Sequence, residues 1–457
     1  MSPASSSNKP ETPPLTADRV IVRLDQLINA QVNAIMQHPD FIAAECRWRG
    51  VLLLVHALPK GNQVRLKLLQ ADWLEISQDC NRCEFDHTWL FELIYNQEFA
   101  MPGGEPFGLL IGDYMLGPDL SGPDGTENIL TVLAAIAAAA FCPFVAGAAP
   151  CALGLSGYGD LNRLPDLISR ITRLEFTRWN KLRQHEDSRF LGLVAPGILL
   201  RSPYRASLRQ DSFHFEEYVA PDGSTLRFGN GCFAFAINVM RNFIRHGWFS
   251  ELCGITENTM EGGYIGENIL PPYIGPDDLD RILCQPPVEV RLTTDQQQQF
   301  CAAGIIPVAT SYLMSGLVFN VSQSLYLPPD LRAHDNAALS GMLQYVLCVS
   351  RFAHCLKAIM RDEIGSHTSV DKLQDRLQNW LLTYTLAGHN RDAALRIRYP
   401  LRASRVSVRE IAGRPGLYSC MLELQPHLHL DKLHATFRLL IDETLPATAR
   451  VAEGYSA

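Results

Sequence analysis

The chain has 457 residues, 47% of them hydrophobic and 19% charged, with a net charge of −8 and an isoelectric point near 5.9. That length leaves room for more than one domain, and that balance excludes a general affinity for nucleic acid or an anionic membrane. Twelve cysteines without framework spacing, several inside apolar runs, point to reduced thiols in a cytosol.

The first 16 residues, MSPASSSNKPETPPLT, lack the basic and apolar regions of a signal peptide and read as a disordered lead. Asp18 to Gln37 follows as an amphipathic helix, with Val20, Leu24, Ile28, Val32 and Met36 at helical spacing and Thr16 as a candidate N-cap. The HPD break at 38–40 separates it from a second helix over Phe41 to Leu58. Strand signals come at Val64–Leu69 and Phe107–Ile111.

The glycines of PGGEPFGLLIGDY (102–114) raise the question of a phosphate cradle. They precede the strand instead of following it, and no GK[ST] accompanies them, so a turn feeding a buried strand is expected. The Ala-rich run from Ile129, broken by Pro143 and Pro150, reads as a buried core helix and not a membrane span, leading into a strand at Phe144-Val145. Strand, helix, strand in that order gives a βαβ unit in a mixed α/β fold.

Between 200 and 330 the pattern loosens, with strand-like pieces at Phe213–Val219 and Thr225–Phe228 and the loop GGYIGENILPPYIGP. YLPPDLRAHDN (326–336) reads as a linker, which divides 17–325 from 337–446 and leaves 447–457 as a flexible tail. Met342 to Met360 is the clearest helix, apolar at Met342, Tyr345, Val349, Phe352, Leu356 and Ile359. Its other face carries Arg351, His354, Lys357 and Arg361, which is expected to be solvated or to dock an acidic partner. Three strands close the chain, Arg405–Ile411, Leu417–Leu424 and Leu433–Ile441, as an antiparallel meander whose edges need covering or pairing.

Chemistry is sparse. Cys80 and Cys83 with His87 make half a zinc site, and His427 with His429 could offer two imidazoles on one side of a strand. A metal-dependent enzyme built on either set is the alternative reading. Ser156 in GLSGYG misses the nucleophile elbow, because Tyr158 stands where glycine is required. The HEDSR run, with Glu186, Asp187 and Arg189, suits an ionic junction within the fold or a salt bridge between subunits.

Several blocks together resemble the large sheath subunit of the bacterial type VI secretion system (the TssC/VipB/ImpC family). They are HPDFIAAECRWRG, GGEPFGLLIGDY, FCPFVAGAAP, EDSRFLGLVAP, SRFAHCLKAIMRDEIGS, YPLRASRVSV and PGLYSCMLELQPHL, in the family's order from about residue 20 to 442. The resemblance implies a structural role without catalysis, cofactor or metal, and names 17–325 and 337–446 as the sheath core and C-terminal domains. It implies pairing with a small sheath subunit (TssB/VipA) and with further copies of the chain in a helical, cytoplasmic sheath. That sheath surrounds an Hcp inner tube on a baseplate and contracts to expel the tube. It also implies exchange of terminal strands, which places Phe437, Leu439 and Ile441 of the last strand at a subunit interface. Recycling by the disassembly ATPase ClpV goes with a longer N-terminal extension than the lead seen here, and GGYIGENILPPYIGP departs from the family's wording.

Overall fold

A computed structural model describes residues 17–59, 61, 63–101, 103–118, 125–163, 166–205, 213, 215–220, 223–249, 251–256, 261–266, 269–270, 272–274, 284–310, 316–328, 341–363, 370–386, 393–410, 418–427 and 437–442. The Thr16 cap, the lead, the tail, His429 and most of the linker lie outside them.

Two helices open the chain, α1 (Ala17–Met36) and α2 (Pro39–Ala57). Pro39 starts α2, where its missing N–H costs nothing, and the His38 ring accepts from the Asp40 amide. Residues 63–72 then run without helix or strand. A strand was expected over Val64–Leu69. None forms there, because no described segment pairs with it to supply the ladder. Helix α3 (Trp73–Arg82) and a π-helical segment, Glu92–Ala100, precede the core.

The core is a four-stranded parallel sheet. It is entered at β1 (Leu110–Leu116), three residues later than the apolar run suggested. Helix α4 (Thr126–Ala139) crosses to β2 (Phe144–Ala148), completing the expected βαβ unit. Strand β3 (Leu191–Ala195) follows, then α5 (Cys232–His246) and β4 (Ile305–Pro307), giving the order β1-β2-β3-β4.

Side chains along these strands alternate between two apolar bodies. Phe144, Ala146, Leu191, Leu193 and Ile305 face the body containing α4. Val145, Val194 and Ile306 face the body built by α5 and α2. Covering on both sides is why the strands read as unbroken apolar runs and not as alternation. Helix α2 crosses α5 at Gly50, where a Cβ would come within 2.2 Å of the Phe233 ring, so only glycine allows that approach.

The C-terminal part packs on the same core. Helix α6 (Leu343–Glu363) and helix α7 (Val370–Leu382) are joined through Trp248, which stacks on Phe352 at 4.3 Å, and through Trp380 and Tyr384. Strands β5 (Leu401–Glu410), β6 (Tyr418–Pro426) and β7 (Phe437–Asp442) form the expected antiparallel meander in that order.

Candidate assembly surfaces

Helix α1 is amphipathic, as its spacing indicates, but it is mounted inside out. Its Asn29–Asn33–Gln37 stripe faces the protein and bonds an extended segment. Asn29 and Asn33 accept from the amides of Glu216 and Tyr218, at 3.0 and 2.8 Å, and Asn33 donates to the Glu216 carbonyl at 2.9 Å. This side-chain ladder replaces the strand expected at Phe213–Val219. On the opposite side of the helix, Ile21, Leu24, Ile28 and Ile35 are 55, 52, 43 and 62% exposed. They recur at three-, four- and seven-residue steps, the seam of a coiled coil. Helix α2 continues the theme with Phe41, Trp48, Leu52 and Val55 exposed at a similar spacing.

A buried ion cluster fixes this helix pair to the body. Glu45 on α2 accepts from Arg201 at 2.6 Å, Arg49 at 2.7 Å and Arg227 at 3.0 Å. Glu217 pairs with both Arg201 and Arg227, lying 3.2 Å from the latter. Arg227 also donates to the Met36 carbonyl at 2.8 Å, the last turn of α1, where a cation meets the negative end of the helix. Burial pushes the Glu45 carboxyl up, but the Arg201, Arg49 and Arg227 guanidiniums outweigh it and hold it at about 2. The sequence offered no signal for this cluster, since its members come from residues 45, 201, 217 and 227.

The meander has two unlike edges. On β5, Gln378 accepts from the Val406 amide at 2.9 Å and donates to the Ser404 carbonyl at 3.1 Å, while Gln374 accepts from Val408 at 3.0 Å. These two α7 side chains occupy the places a neighbouring strand would take. The outer side of β7 carries no such cover among the described residues. Leu439 and Ile441, expected to anchor a contact between subunits, are buried in their own subunit's core beside α6. That correction follows from the period of two: Leu439 and Ile441 share the face that meets α6, so these two side chains are taken up inside, while the outer main-chain edge stays available to a partner. The Phe437 side chain lies outside the description.

The basic face of α6 is also corrected. Lys357 is buried with its ammonium 4.7 Å from the Phe99 ring centre. His354 is buried too, its Nε2 2.9 Å from the Ala140 carbonyl, and burial lowers its pKa to about 4. Arg361 donates to the Met101 carbonyl at 3.0 Å, and the half-buried Arg351 lies 5.5 Å from the Phe243 ring. The helix is enclosed nearly all round, which leaves little of that face to dock a partner. In the HEDSR run Glu186 is exposed and Asp187 half-buried, whereas Arg189 is 1% exposed and sits 4.3 Å over the Tyr326 ring. Arg189 therefore belongs to the interior, and only the two acids remain for a contact outside.

The chemical candidates do not assemble. Cys80 lies in the apolar core, where burial pushes its thiol up to about 12, opposite to what a thiolate ligand needs. No group of three or more His, Cys, Asp or Glu able to hold a metal ion occurs among the described residues. A cavity of about 700 Å³ opens at the C-terminal ends of β1, β2 and β3, lined by Trp73, Asp113, Asn230 and Glu289. Burial raises the Asp113 carboxyl. The glycine turn at 103–104 is remote from any phosphate role: a Cβ at Gly104 would strike the Glu98 carbonyl at 2.4 Å, so close packing explains that glycine. No described helix is long and apolar enough to cross a membrane.

Comparison with known proteins gives a consistent family. Residues 18–326 match the VipB/EvpB tail sheath N-terminal domain, and residues 332–442 match that family's gpW/gp25-like tail sheath domain. The type VI secretion system sheath protein TssC1 of Pseudomonas aeruginosa is 33% identical over 435 residues, spanning 93% of this chain and 85% of that protein. Two solved structures are more distant. One is the baseplate of the anti-feeding prophage, at TM-score 0.36 and 12% identity, covering 70% of this chain and 66% of that one. The other is a sheath tail protein from Desulfitobacterium hafniense, at TM-score 0.31 and 10% identity, covering 70% and 62%. Matched along nearly its whole length by both sheath domains and by a curated sheath protein, the chain belongs to the VipB family of type VI secretion system sheath large subunits.

Proposed function

We propose that the chain works by assembly and not by catalysis, pairing with the small sheath subunit through the outward face of α1 and α2. The pairs then stack with further copies into a cytoplasmic sheath around an Hcp inner tube on a baseplate, and contraction expels the tube. The observation that carries this reading is the inverted mounting of α1, whose polar stripe is used up inside while Ile21, Leu24, Ile28 and Ile35 face out. Exposed apolar seams of this size mark protein contacts, and the coiled-coil spacing fits a helical partner. With about half of each side chain still exposed, covering the remainder contributes about 1 kcal/mol apiece. Chain-to-chain linkage is assigned to main-chain pairing along the outer edge of β7, because the β5 edge is already closed by Gln374 and Gln378.

Co-expression with the small sheath subunit tests the reading. The unaltered pair is expected to co-purify and form tubules by negative stain. Leu24→Glu with Ile28→Glu is expected to abolish co-purification while leaving thermal unfolding of the chain unchanged. Undiminished co-purification of that variant would overturn the assignment of the face.

A further inference from the structure

The segment Val64–Gln70 (VRLKLLQ) has the composition and alternation of a strand, yet it pairs with nothing among the described residues. Its conformation is nonetheless held. Arg65 forms an ion pair with Glu105, and Lys67 forms one with Glu98 at the end of the π-helical segment. The Lys67 ammonium also lies 5.2 Å from the Phe107 ring centre, and Glu98 accepts from the Glu105 amide at 3.0 Å. Two residues apart, both cations reach the same wall, which is the period of an extended chain and not of a helix. The residues between and after them point elsewhere: Leu66, Leu68 and Leu69 are 36, 68 and 52% exposed. No described main-chain hydrogen bond is made by residues 64–70.

We propose that residues 64–70 are an incomplete β-strand, and that the small sheath subunit supplies the missing neighbour as an extended segment with apolar side chains opposite Leu66 and Leu68. The proposal rests on the reading that this partner covers α1 and α2. The chemistry selects an extended chain: a row of unbonded N–H and C=O groups is satisfied along its length only by another strand, since a helix has used its own. Arg65 and Lys67 are already neutralised, so the recognition is by main chain and apolar contact. Position selects the same partner. The segment begins seven residues after Ala57, the end of α2, and exposed Leu52 and Val55 lie in the last turns of that helix. A protein seated on the α2 face is therefore within about 25 Å of Val64 along the chain.

Hydrogen–deuterium exchange on the wild-type complex with the small sheath subunit tests this directly. Amides of residues 65–70 are expected to exchange about 100-fold more slowly than an unstructured chain in the complex, and near the unstructured rate in the chain alone. A second measurement uses Leu68→Pro, which removes one donor that has no described partner in this chain. It is expected to weaken small-subunit binding at least about tenfold, with the chain's own melting temperature unchanged. If α1 becomes protected in the complex while residues 65–70 do not, the strand inference falls and the helical docking face stands. If neither is protected, both fall. Protection of 65–70 that appears in the chain alone as its concentration rises assigns the edge to a second copy and also overturns the proposal.

Discussion

Replacing Glu45 with glutamine leaves Arg201 and Arg227 buried with Glu217 as their one remaining carboxylate partner among the described residues. Their side chains are 7 and 1% exposed, and Glu45 accepts from both, at 2.6 and 3.0 Å, as well as from Arg49 at 2.7 Å. Breaking a buried ion pair on one side costs about 3–5 kcal/mol, because the surviving charge stays desolvated. Glutamine retains one acceptor oxygen, which places the cost near the lower end, about 3 kcal/mol. Unfolding entropy of about 2.1 cal/mol/K per residue over a unit of about 300 residues makes that a fall of about 5 °C in melting temperature. Differential scanning calorimetry reads it.

Acid adds a second signature to the same substitution. Glu45 is held at about 2 against its ordinary 4.5, so its contribution is fully present above 4.5 and is lost as the pH falls through 2. The wild-type chain should therefore lose stability below pH 4.5 more steeply than Glu45→Gln. Replacing Glu45 and Arg227 together by methionine should recover part of the loss, since an apolar pair of similar volume leaves no orphaned charge between them. A melting temperature within about 1 °C of wild type for Glu45→Gln would refute the reasoning.

Two further substitutions test a buried histidine and the half-buried glutamines of α7. His354 stays neutral in the core at a pKa of about 4 against an ordinary 6.5, so the unfolded chain takes up a proton that the folded chain refuses between those values. Stability then falls as the pH drops from 6.5 to 4, by about 3 kcal/mol, and urea midpoints across that range should flatten for His354→Gln. Replacing Gln374 and Gln378 with alanine removes three bonds to β5 and should cost about 2 kcal/mol by urea titration. The same pair of changes opens the β5 edge, so light scattering should show concentration-dependent self-association beyond that of the unaltered chain.

The parts of the fold legible in the sequence are those whose apolar pattern is satisfied within the chain. The β1–α4–β2 unit and the meander appear in the expected order, with strand ends shifted by a few residues, because two-sided and one-sided burial leave different periods. Helix α1 had a readable face but not a readable direction. Periodicity says that one side is apolar, and only the contacts of Asn29 and Asn33 reveal that the other side faces the protein. The polar face of α6 misled for the converse reason: Lys357 and His354 are enclosed by Phe99 and the end of α4, which charge patterning along one helix cannot anticipate. Residues 64–70 carry a strand's pattern without a strand's partner, so the reading of the residues and the structure of the single subunit part company there.

One geometric rule connects the closed edges and separates them from the open ones. Side chains four apart on a helix are offset by about 6 Å along its axis. Alternate residues of a strand are offset by about 6.6 Å. Amide side chains at that helical spacing can therefore follow the bonding groups of an adjacent extended chain for two steps before drifting out of register. Asn29, Asn33 and Gln37 do this for Glu216 and Tyr218, and Gln374 and Gln378 do it for Val408 and Val406. Asparagine and glutamine suit the task because each offers both a donor and an acceptor. No described helix lays such a ladder against residues 64–70 or the outer side of β7. A subunit that must polymerise in one arrangement needs some edges closed and others left open, and carboxamide side chains at a four-residue spacing are enough to make that distinction.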